Sequence, residues 1–278
     1  MAMSYGLRSA LRKEWAQISE PVAIATSDGV DSKALVISAV EDAGYRPTVI
    51  SMTLDDRESK DFRGARDIAR EYGLDFVPIR LPTDAATIER DIITMIQVHS
   101  VRTKTSIESH WGFLYLFDTL RQKHIDSLVI GHGNSHYQNT KNALIGLNQS
   151  GYTKSRSPDA VAALQKLRHK AFAKPNEDGL RDVRRIGQSY NVAVFTPWFN
   201  AEIFNLFTDK AWVELNKPKQ KYPVRVEFPT LYNNDPQINL QCGDSGIRDL
   251  VAATAIKRWK PSAKSSIAAY NVVAGRAR

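Results

Sequence analysis

Apolar residues follow two rhythms along this chain. Five short, nearly unbroken apolar runs, in PVAIAT, PTVISM, LDFVPIRL, SLVIG and NVAVFTP, are bounded by Gly, Pro or polar residues and predict five strands. Between them the apolar spacing changes to that of a helix. After the first run, Ala34, Leu35, Ser38, Ala39 and Ala43 recur at helical intervals and stop at Gly44. In ESKDFRGARDIAREYG, Phe62, Ala65, Ile68, Ala69 and Tyr72 share one stripe, with Gly73 as its stop. Further helical stretches run from about Asp84 to Val98, Glu108 to Lys123 and Pro158 to Tyr190, and the chain is mostly helical from the fifth strand to about Lys260.

Strands separated by helices of ten or more residues must run parallel, because the crossover connection is long and right-handed. The pattern therefore predicts an α/β protein with a doubly wound, parallel five-stranded sheet and a mostly helical C-terminal part. A helical segment at residues 1–20 precedes the main domain at 21–260, and the weakly patterned tail at 261–278 is expected to be partly mobile. The small polar residues of NQSGYTKSRS, 148–157, read as a flexible loop. No internal repeat is evident. Ligands of such sheets bind beyond the C-terminal strand ends where the winding reverses. Attention therefore falls on the turns after the first and fourth strands.

Composition narrows the class. At 42% hydrophobic residues over 278 positions, the chain has an ordinary globular core. No run of about 18 apolar residues offers a bilayer span, and the start, MAMSYGLRSALRKEW, lacks the apolar block of a signal peptide. A soluble, cytoplasmic protein with no membrane partner is expected. The single cysteine, Cys242, rules out an internal disulfide and a Cys-rich metal site and argues against thiol-relay sulfur chemistry. The net charge of +8 is concentrated. Residues 141–190 hold ten Lys/Arg against four Asp/Glu, an excess of six. Such a segment suits contacts with nucleic-acid phosphates or a polyanionic substrate. A solvated helical surface is the simpler reading, and the interleaved aromatics of a single-strand stacking platform are missing.

The turn after the first strand reads Ser27-Asp28-Gly29-Val30-Asp31-Ser32. Neither GxxxxGK[ST] nor GxGxxG is present there. What the hexapeptide offers is a small-residue turn delivering backbone N–H groups and two hydroxyls to a helix N-terminus, a geometry suited to pyrophosphate. A plain helix cap by Ser27 or Asp28 is the competing explanation.

That hexapeptide resembles the SGGxDS signature of the PP-loop ATP pyrophosphatases, which cleave ATP between its α- and β-phosphates. From Pro21 to about Trp259 the chain looks more closely like the synthetase domain of the asparagine synthetase family, with its adenine nucleotide α-hydrolase-like fold. Four blocks occur in the family's order. SMTLDDRESKDFRGARDIAREYGLDFVPIRL is similar to the second strand, the following helix and the third strand. LVIGHGNSHY stands where the family has SGEGSDE. DVRRIGQSYNVAVFTPWFNAEIFNLF resembles the GVExRxPFLD block, and KYPVRVEF the KxxLRxAF block.

The resemblance implies roles residue by residue. Ser27, Gly29 and Ser32 would cradle pyrophosphate, and Asp31 would hold Mg²⁺, a hard cation that takes carboxylate and phosphate oxygens. The backbone of Ser51 and Met52 would grip the adenine of ATP, and Gly131 would close the cofactor site from the fourth-strand loop. Lys221 would stabilise the adenylated intermediate and its transition state, with Arg225 matching the block's arginine. Departures are as informative. Asp28 replaces the second glycine, costing backbone freedom and placing a carboxylate beside the expected anion. It either binds metal or weakens phosphate binding. His132, Ser135 and His136 replace acidic residues, so one expected magnesium carboxylate is missing. Ala193, Phe195 and Asn200 replace the Glu, Arg and Asp from which relatives build a charged amino-acid pocket, which makes an aspartate substrate unexpected. His132, with an unperturbed pKa of about 6.5, suits a general base on an incoming amine. A purely structural role fits it as well. A His132/His136 metal pair is a weaker alternative, since Gly-Asn-Ser intervenes.

The leading expectation is an ATP-dependent, AMP-forming carbon–nitrogen ligase that adenylates a small-molecule carboxylate and passes the acyl group to ammonia or an amine. About twenty residues precede the first strand and residue 2 is Ala, so no glutaminase domain is expected. The nucleophile would be free ammonia, an amine on another molecule, or ammonia from a separate amidotransferase. Two alternatives stand beside this: a PP-loop enzyme modifying a nucleic-acid base, motivated by the basic segment, and a nucleotide-binding relative that has lost catalysis, motivated by the vanished carboxylates.

Overall fold

The computed structural model describes residues 5–133, 157–173, 179–234 and 244–276. All five expected strands form: β1 Val22–Ala25, β2 Thr48–Leu54, β3 Phe76–Leu81, β4 Ser127–Ile130 and β5 Ala193–Phe195. They make one sheet in the order β3-β2-β1-β4-β5. Every neighbouring pair is parallel. The chain winds outward from β1 through β2 to β3, then returns to the other side of β1. The winding therefore reverses between β1 and β4, and the crevice lies at their C-terminal ends.

The helices are α1 Leu7–Trp15, α2 Val30–Ile37, α3 Lys60–Glu71, α4 Ala85–Ile93, α5 Lys104–His110, α6 Phe113–Gln122, α7 Pro158–Phe172, α8 Leu180–Ser189, α9 Ala201–Phe207, α10 Trp212–Asn216, α11 Tyr222–Glu227, α12 Ile247–Trp259 and α13 Ser266–Val273. The two-residue period of the strands divides the core into two layers. Ile50, Met52 and Leu54 of β2 face a cluster that includes Trp111, Phe117, Ile186 and Val251. Val49, with Val22 and Ile24 of β1, faces the opposite cluster with Ala34, Leu35, Ala65, Ile68 and Trp198. Because each face is buried against helices, β1, β2 and β4 read as continuous apolar runs.

The N-terminal segment is part of this second layer. Leu7, Leu11 and Trp15 of α1 are fully buried, and the Tyr45 hydroxyl donates to the carbonyls of Trp15 and Ile18, both at 2.8 Å.

Several expectations change in detail. The helix read from Glu108 to Lys123 is two helices, since α5 starts at Lys104 behind its Thr103 cap and the chain breaks at Trp111-Gly112. A Cβ on Gly112 would come within 2.4 Å of Met52 Sδ, so the break gives β2's methionine its place. Between Ser38 and Asp42, and between Thr94 and Val98, the helices continue in wider π-type turns.

In the C-terminal segment, Ser266–Val273 form a helix whose Ala269 and Tyr270 enter the core. Its polar anchor is distant in sequence. Buried Glu108 accepts hydrogen bonds from the hydroxyls of Ser266 and Tyr270 and from Arg248 Nε of α12. The 148–157 loop lies outside the described residues except for Ser157. Among the described residues, no helix is long and apolar enough to cross a membrane.

Candidate functional site

The turn after β1 hangs from the sheet by Thr26, whose N–H donates to the Ile50 carbonyl at 2.9 Å. Its two serines face each other, Ser27 Oγ to Ser32 Oγ at 3.1 Å. Ser32 Oγ accepts the Ser27 N–H, and Ser27 Oγ accepts the Gly29 N–H, both at 3.1 Å. Gly29, not Ser27 or Asp28, is the N-cap of α2, and it has no side chain with which to cap that helix. Neither Ser27 nor Asp28 therefore occupies the N-cap position, and Ser27 instead holds the amide of the N-cap glycine. A helix N-terminus opening on such a small-residue turn is suited to an anion.

Asp28 adopts no left-handed backbone, so the loss of glycine's freedom costs nothing in this conformation. Its carboxylate is held by Lys33 Nζ at 2.5 Å and lies 3.8 Å from Lys60 Nζ. The Asp28 N–H donates to Asp61 Oδ1 at 2.9 Å. Burial pushes the Asp61 carboxyl above the usual carboxylate range, opposed by the hydrogen bond from the Asp28 amide. Space for the Asp28 side chain comes from Gly64 on α3, where any Cβ would meet Asp28 Oδ1 at 2.3 Å.

Residues 190 positions apart meet at the first turn of α2. Lys221 Nζ donates to Asp31 Oδ2, with the two side chains only 2% and 4% exposed. Lys221 carries the left-handed conformation (φ 57°, ψ 44°) at the N-cap of α11, which costs a β-carbon residue about 1–2 kcal/mol. Asn216 Oδ1 accepts its N–H at 3.3 Å, and together with the ion pair this fixes the strained backbone.

Arg225 is also buried, and its guanidinium faces carbonyls. Nε donates to Gln220 O at 2.7 Å, and Nη1 donates to the carbonyls of Leu231, Tyr232 and Asn234 at 2.7, 3.2 and 2.9 Å. It thereby fastens the chain after α11, from which Asn234 Nδ2 reaches the Asp28 carbonyl at 3.5 Å. The geometry gives Arg225 a positioning role around Lys221.

On the β4 side, Gly131 lies against α2, since a Cβ there would sit 3.2 Å from the Ser32 N. His132 packs beside Phe199, ring centroids 5.9 Å apart. Gly133, at φ +112°, leaves no room for a Cβ, which would fall 2.7 Å from the same Phe199 ring. Ser135 and His136 lie outside the described residues.

Ser51 and Met52 end up where β2 outruns β1. β1 pairs no further than Ile50, while β2 continues against β3 to Leu54. The β1-facing backbone edge of these residues therefore borders the crevice. The Ser51 hydroxyl is buried with no hydrogen-bond partner among the described residues.

Ala193 and Asn200 do not join this crevice. Ala193 opens β5 and pairs with Ser127 at the start of β4. That is the opposite end of the sheet, where Ala193 lines a surface groove with Arg184, Gln188 and Asn191. Asn200 caps α9, its Oδ1 accepting the N–H groups of Glu202 and Ile203 at 2.6 and 3.2 Å. The two carboxylates just after β2, Asp55 and Asp56, are exposed, and Asp56 forms a fork with Arg57. Among the described residues, no group of three or more His, Cys, Asp or Glu side chains converges as a metal site.

The basic segment spends part of its charge internally. Arg168 is fully buried and donates to the carbonyls of Thr208 and Lys210 at 3.0 and 2.7 Å. Arg185 Nη1 donates to the carbonyls of His99 and Ser100. Residues 141–156 and 174–178 lie outside the described residues.

Fold and site together define an α/β protein with a doubly wound parallel sheet and a polar, cation-bearing crevice at its switch point. No protein-family model and no curated protein matches the chain. Among solved structures, the chain is similar to the U34-tRNA thiolase NcsA from Methanococcus maripaludis with its [4Fe-4S] cluster, at 13% identity, over 96% of this chain and 87% of that one, with a TM-score of 0.34. It is also similar to a predicted subunit of tRNA methyltransferase from Methanocaldococcus jannaschii, at 15% identity, over 67% of this chain and 73% of that one, with a TM-score of 0.31. Superpositions this loose carry no argument about chemistry.

Proposed function

We propose that the protein is an ATP-using enzyme of the PP-loop kind. It would bind the β,γ-pyrophosphate of ATP at the turn formed by Ser27, Asp28, Gly29 and Ser32, and use AMP-forming chemistry to activate an oxygen of a second substrate. The observation that carries this reading is the buried pairing of Lys221 with Asp31 in the first turn of α2, behind its glycine N-cap. It places a cation beside a phosphate-type turn, where negative charge at an α-phosphate would grow during adenylation. The Ser51–Met52 edge borders the same crevice and suits the adenine.

The chain's own residues have distinct tasks in this reading. The Ser27 and Ser32 hydroxyls and the α2 amides orient the pyrophosphate. Lys221 leaves Asp31 to follow the charge on the phosphate. Arg225 holds the segment that carries Lys221, and His132 at the mouth of β4 accepts a proton from the incoming nucleophile. Asp31 fits Mg²⁺, because that ion takes one or two carboxylates and completes its shell with phosphate oxygens and water; bound there, it would screen charge on the phosphates.

A carboxylate as the activated group and ammonia or an amine as the acceptor remain the favoured substrates, on the resemblance of the four sequence blocks. Activation of a nucleic-acid base is the second reading, favoured by the excess of six positive charges in residues 141–190. A tRNA substrate, like those named for the two loosely similar structures, would fall under it. Thiolation through an iron–sulfur cluster does not suit this chain, because one cysteine cannot supply the thiolates that such a cluster needs.

The test is product analysis. Release of AMP and pyrophosphate from ATP that depends on a carboxylate and an amine supports the ligase. Dependence on tRNA supports the second reading, and ADP with phosphate as products overturns both.

A further inference from the structure

Two lysines at the turn have no task in the reading above. Lys33, within the first turns of α2, donates to Asp28 Oδ1 at 2.5 Å, and its side chain is only 13% exposed. Lys60, the first residue of α3, approaches the other Asp28 oxygen at 3.8 Å. Both ammonium groups are thus directed at the turn from the two helices that flank it.

The same turn already holds an anionic oxygen. Asp61 Oδ1 accepts the Asp28 amide hydrogen at 2.9 Å, the kind of contact a phosphate oxygen makes with such a turn. Burial works against a charge at Asp61 and raises its pKa, so this carboxylate is held where solvation does not favour it. Gly64 adds a steric observation: a β-carbon on that residue of α3 would clash with the Asp28 side chain. One face of the turn therefore brings together two cations, an amide donor and two carboxylates.

We infer that Lys33 and Lys60 are the cationic half of the pyrophosphate subsite, and that Asp28 and Asp61 are internal anions occupying it until the nucleotide's phosphates exchange with them. This rests on the ATP reading and deepens it. The extra carboxylate at position 28 engages both lysines and so competes with pyrophosphate for them. Displacing it frees two cations for charge-assisted hydrogen bonds to the phosphate oxygens.

Calorimetry of the full chain with inorganic pyrophosphate, ATP and adenosine, each at low and moderate salt, tests this. Lys33→Ala and the more exposed Lys60→Ala are expected to weaken pyrophosphate binding by about tenfold each, to flatten its salt dependence, and to leave adenosine binding unchanged. Asp28→Asn, which keeps the shape but removes the competing charge, is expected to tighten pyrophosphate binding severalfold. Circular dichroism and thermal melts identify any variant that fails to fold, and Lys60→Ala on the surface remains informative if Lys33→Ala does. If wild type binds adenosine and ATP but both lysine variants bind pyrophosphate as wild type does, the inference is wrong while the ATP reading stands. If Asp28→Asn weakens pyrophosphate binding, the assignment of Asp28 as a competing anion is wrong. If wild type binds none of the three, the ATP reading fails first.

Discussion

Gly64 is cut to fit Asp28: an added β-carbon would lie 2.3 Å from Asp28 Oδ1 and 2.7 Å from its Cβ. One contact concerns the end of a side chain that can swing, but the other concerns an atom fixed to the backbone of the turn.

Gly64→Ala is therefore expected to destabilise the protein. Overpacking costs about 1–3 kcal/mol, against a helix-propensity gain of roughly 0.5–1 kcal/mol. Asp28→Gly in the same chain removes the clash and should recover most of the loss. Urea denaturation of the four members of this cycle measures the coupling. Additive effects would mean that the two residues do not share this space.

The ion pair between Lys221 and Asp31 supports a second prediction. Lys221→Met leaves a buried carboxylate without its cation, and such single removals cost about 3–5 kcal/mol. Replacing both, Lys221→Met with Asp31→Leu, should cost clearly less than the sum of the single losses. Every member of the set should lose AMP formation. Retained turnover in Lys221→Met would remove Lys221 from the chemistry.

Much of this was legible from the chain. The five strands are legible because parallel strands buried on both faces read as apolar runs bracketed by breakers, and the turn after β1 is legible from its small polar residues. Lys33, Lys60 and Asp61 escaped. Asp28 lies outside the helix that carries Lys33, so no helical spacing links them, and Asp61 meets the turn only when α3 packs beside α2. Ala193 was expected near the site, yet the register of β5 puts it at the far end of the sheet. A block match places residues in order along the chain and is silent about which end of a strand they occupy.

The docking of the C-terminal helix supports a third prediction. Glu108, 1% exposed, is shared by Arg248 of α12 and by Ser266 and Tyr270 of α13, and burial together with this carboxylate pushes the Tyr270 phenol well above its usual pKa. Glu108→Ala takes the acceptor from the buried hydroxyls of Ser266 and Tyr270, a loss of about 1–3 kcal/mol for each group left unmade, while the exposed Arg248 side chain can turn to water. Limited proteolysis should then cut the variant before Ser266 faster than wild type. Equal cleavage rates would mean that apolar packing of Ala269 and Tyr270 alone holds the helix.

The last prediction concerns pH. His110 ends α5 against Gly179 at the start of α8, where a β-carbon would fall 2.3 Å from its Cε1. Its Nδ1 is buried without a hydrogen-bond partner among the described residues. Burial lowers its pKa from 6.5 to about 4, with Asp182 opposing weakly. In the unfolded chain the imidazole takes up its proton near pH 6.5, while in the fold it resists to about pH 4. The unfolded state thus binds more protons in that window, and stability must fall as pH drops through it. The loss from this group amounts to at most about 3 kcal/mol, complete near pH 4 and absent above pH 7. His110→Leu fills a similar volume and cannot bind a proton. Its denaturation midpoint should therefore stay close to wild type at pH 7.5 and exceed it progressively below pH 6.5. Parallel pH profiles for the two proteins would show that the imidazole is solvated in the fold and takes up its proton there as readily as in the unfolded chain.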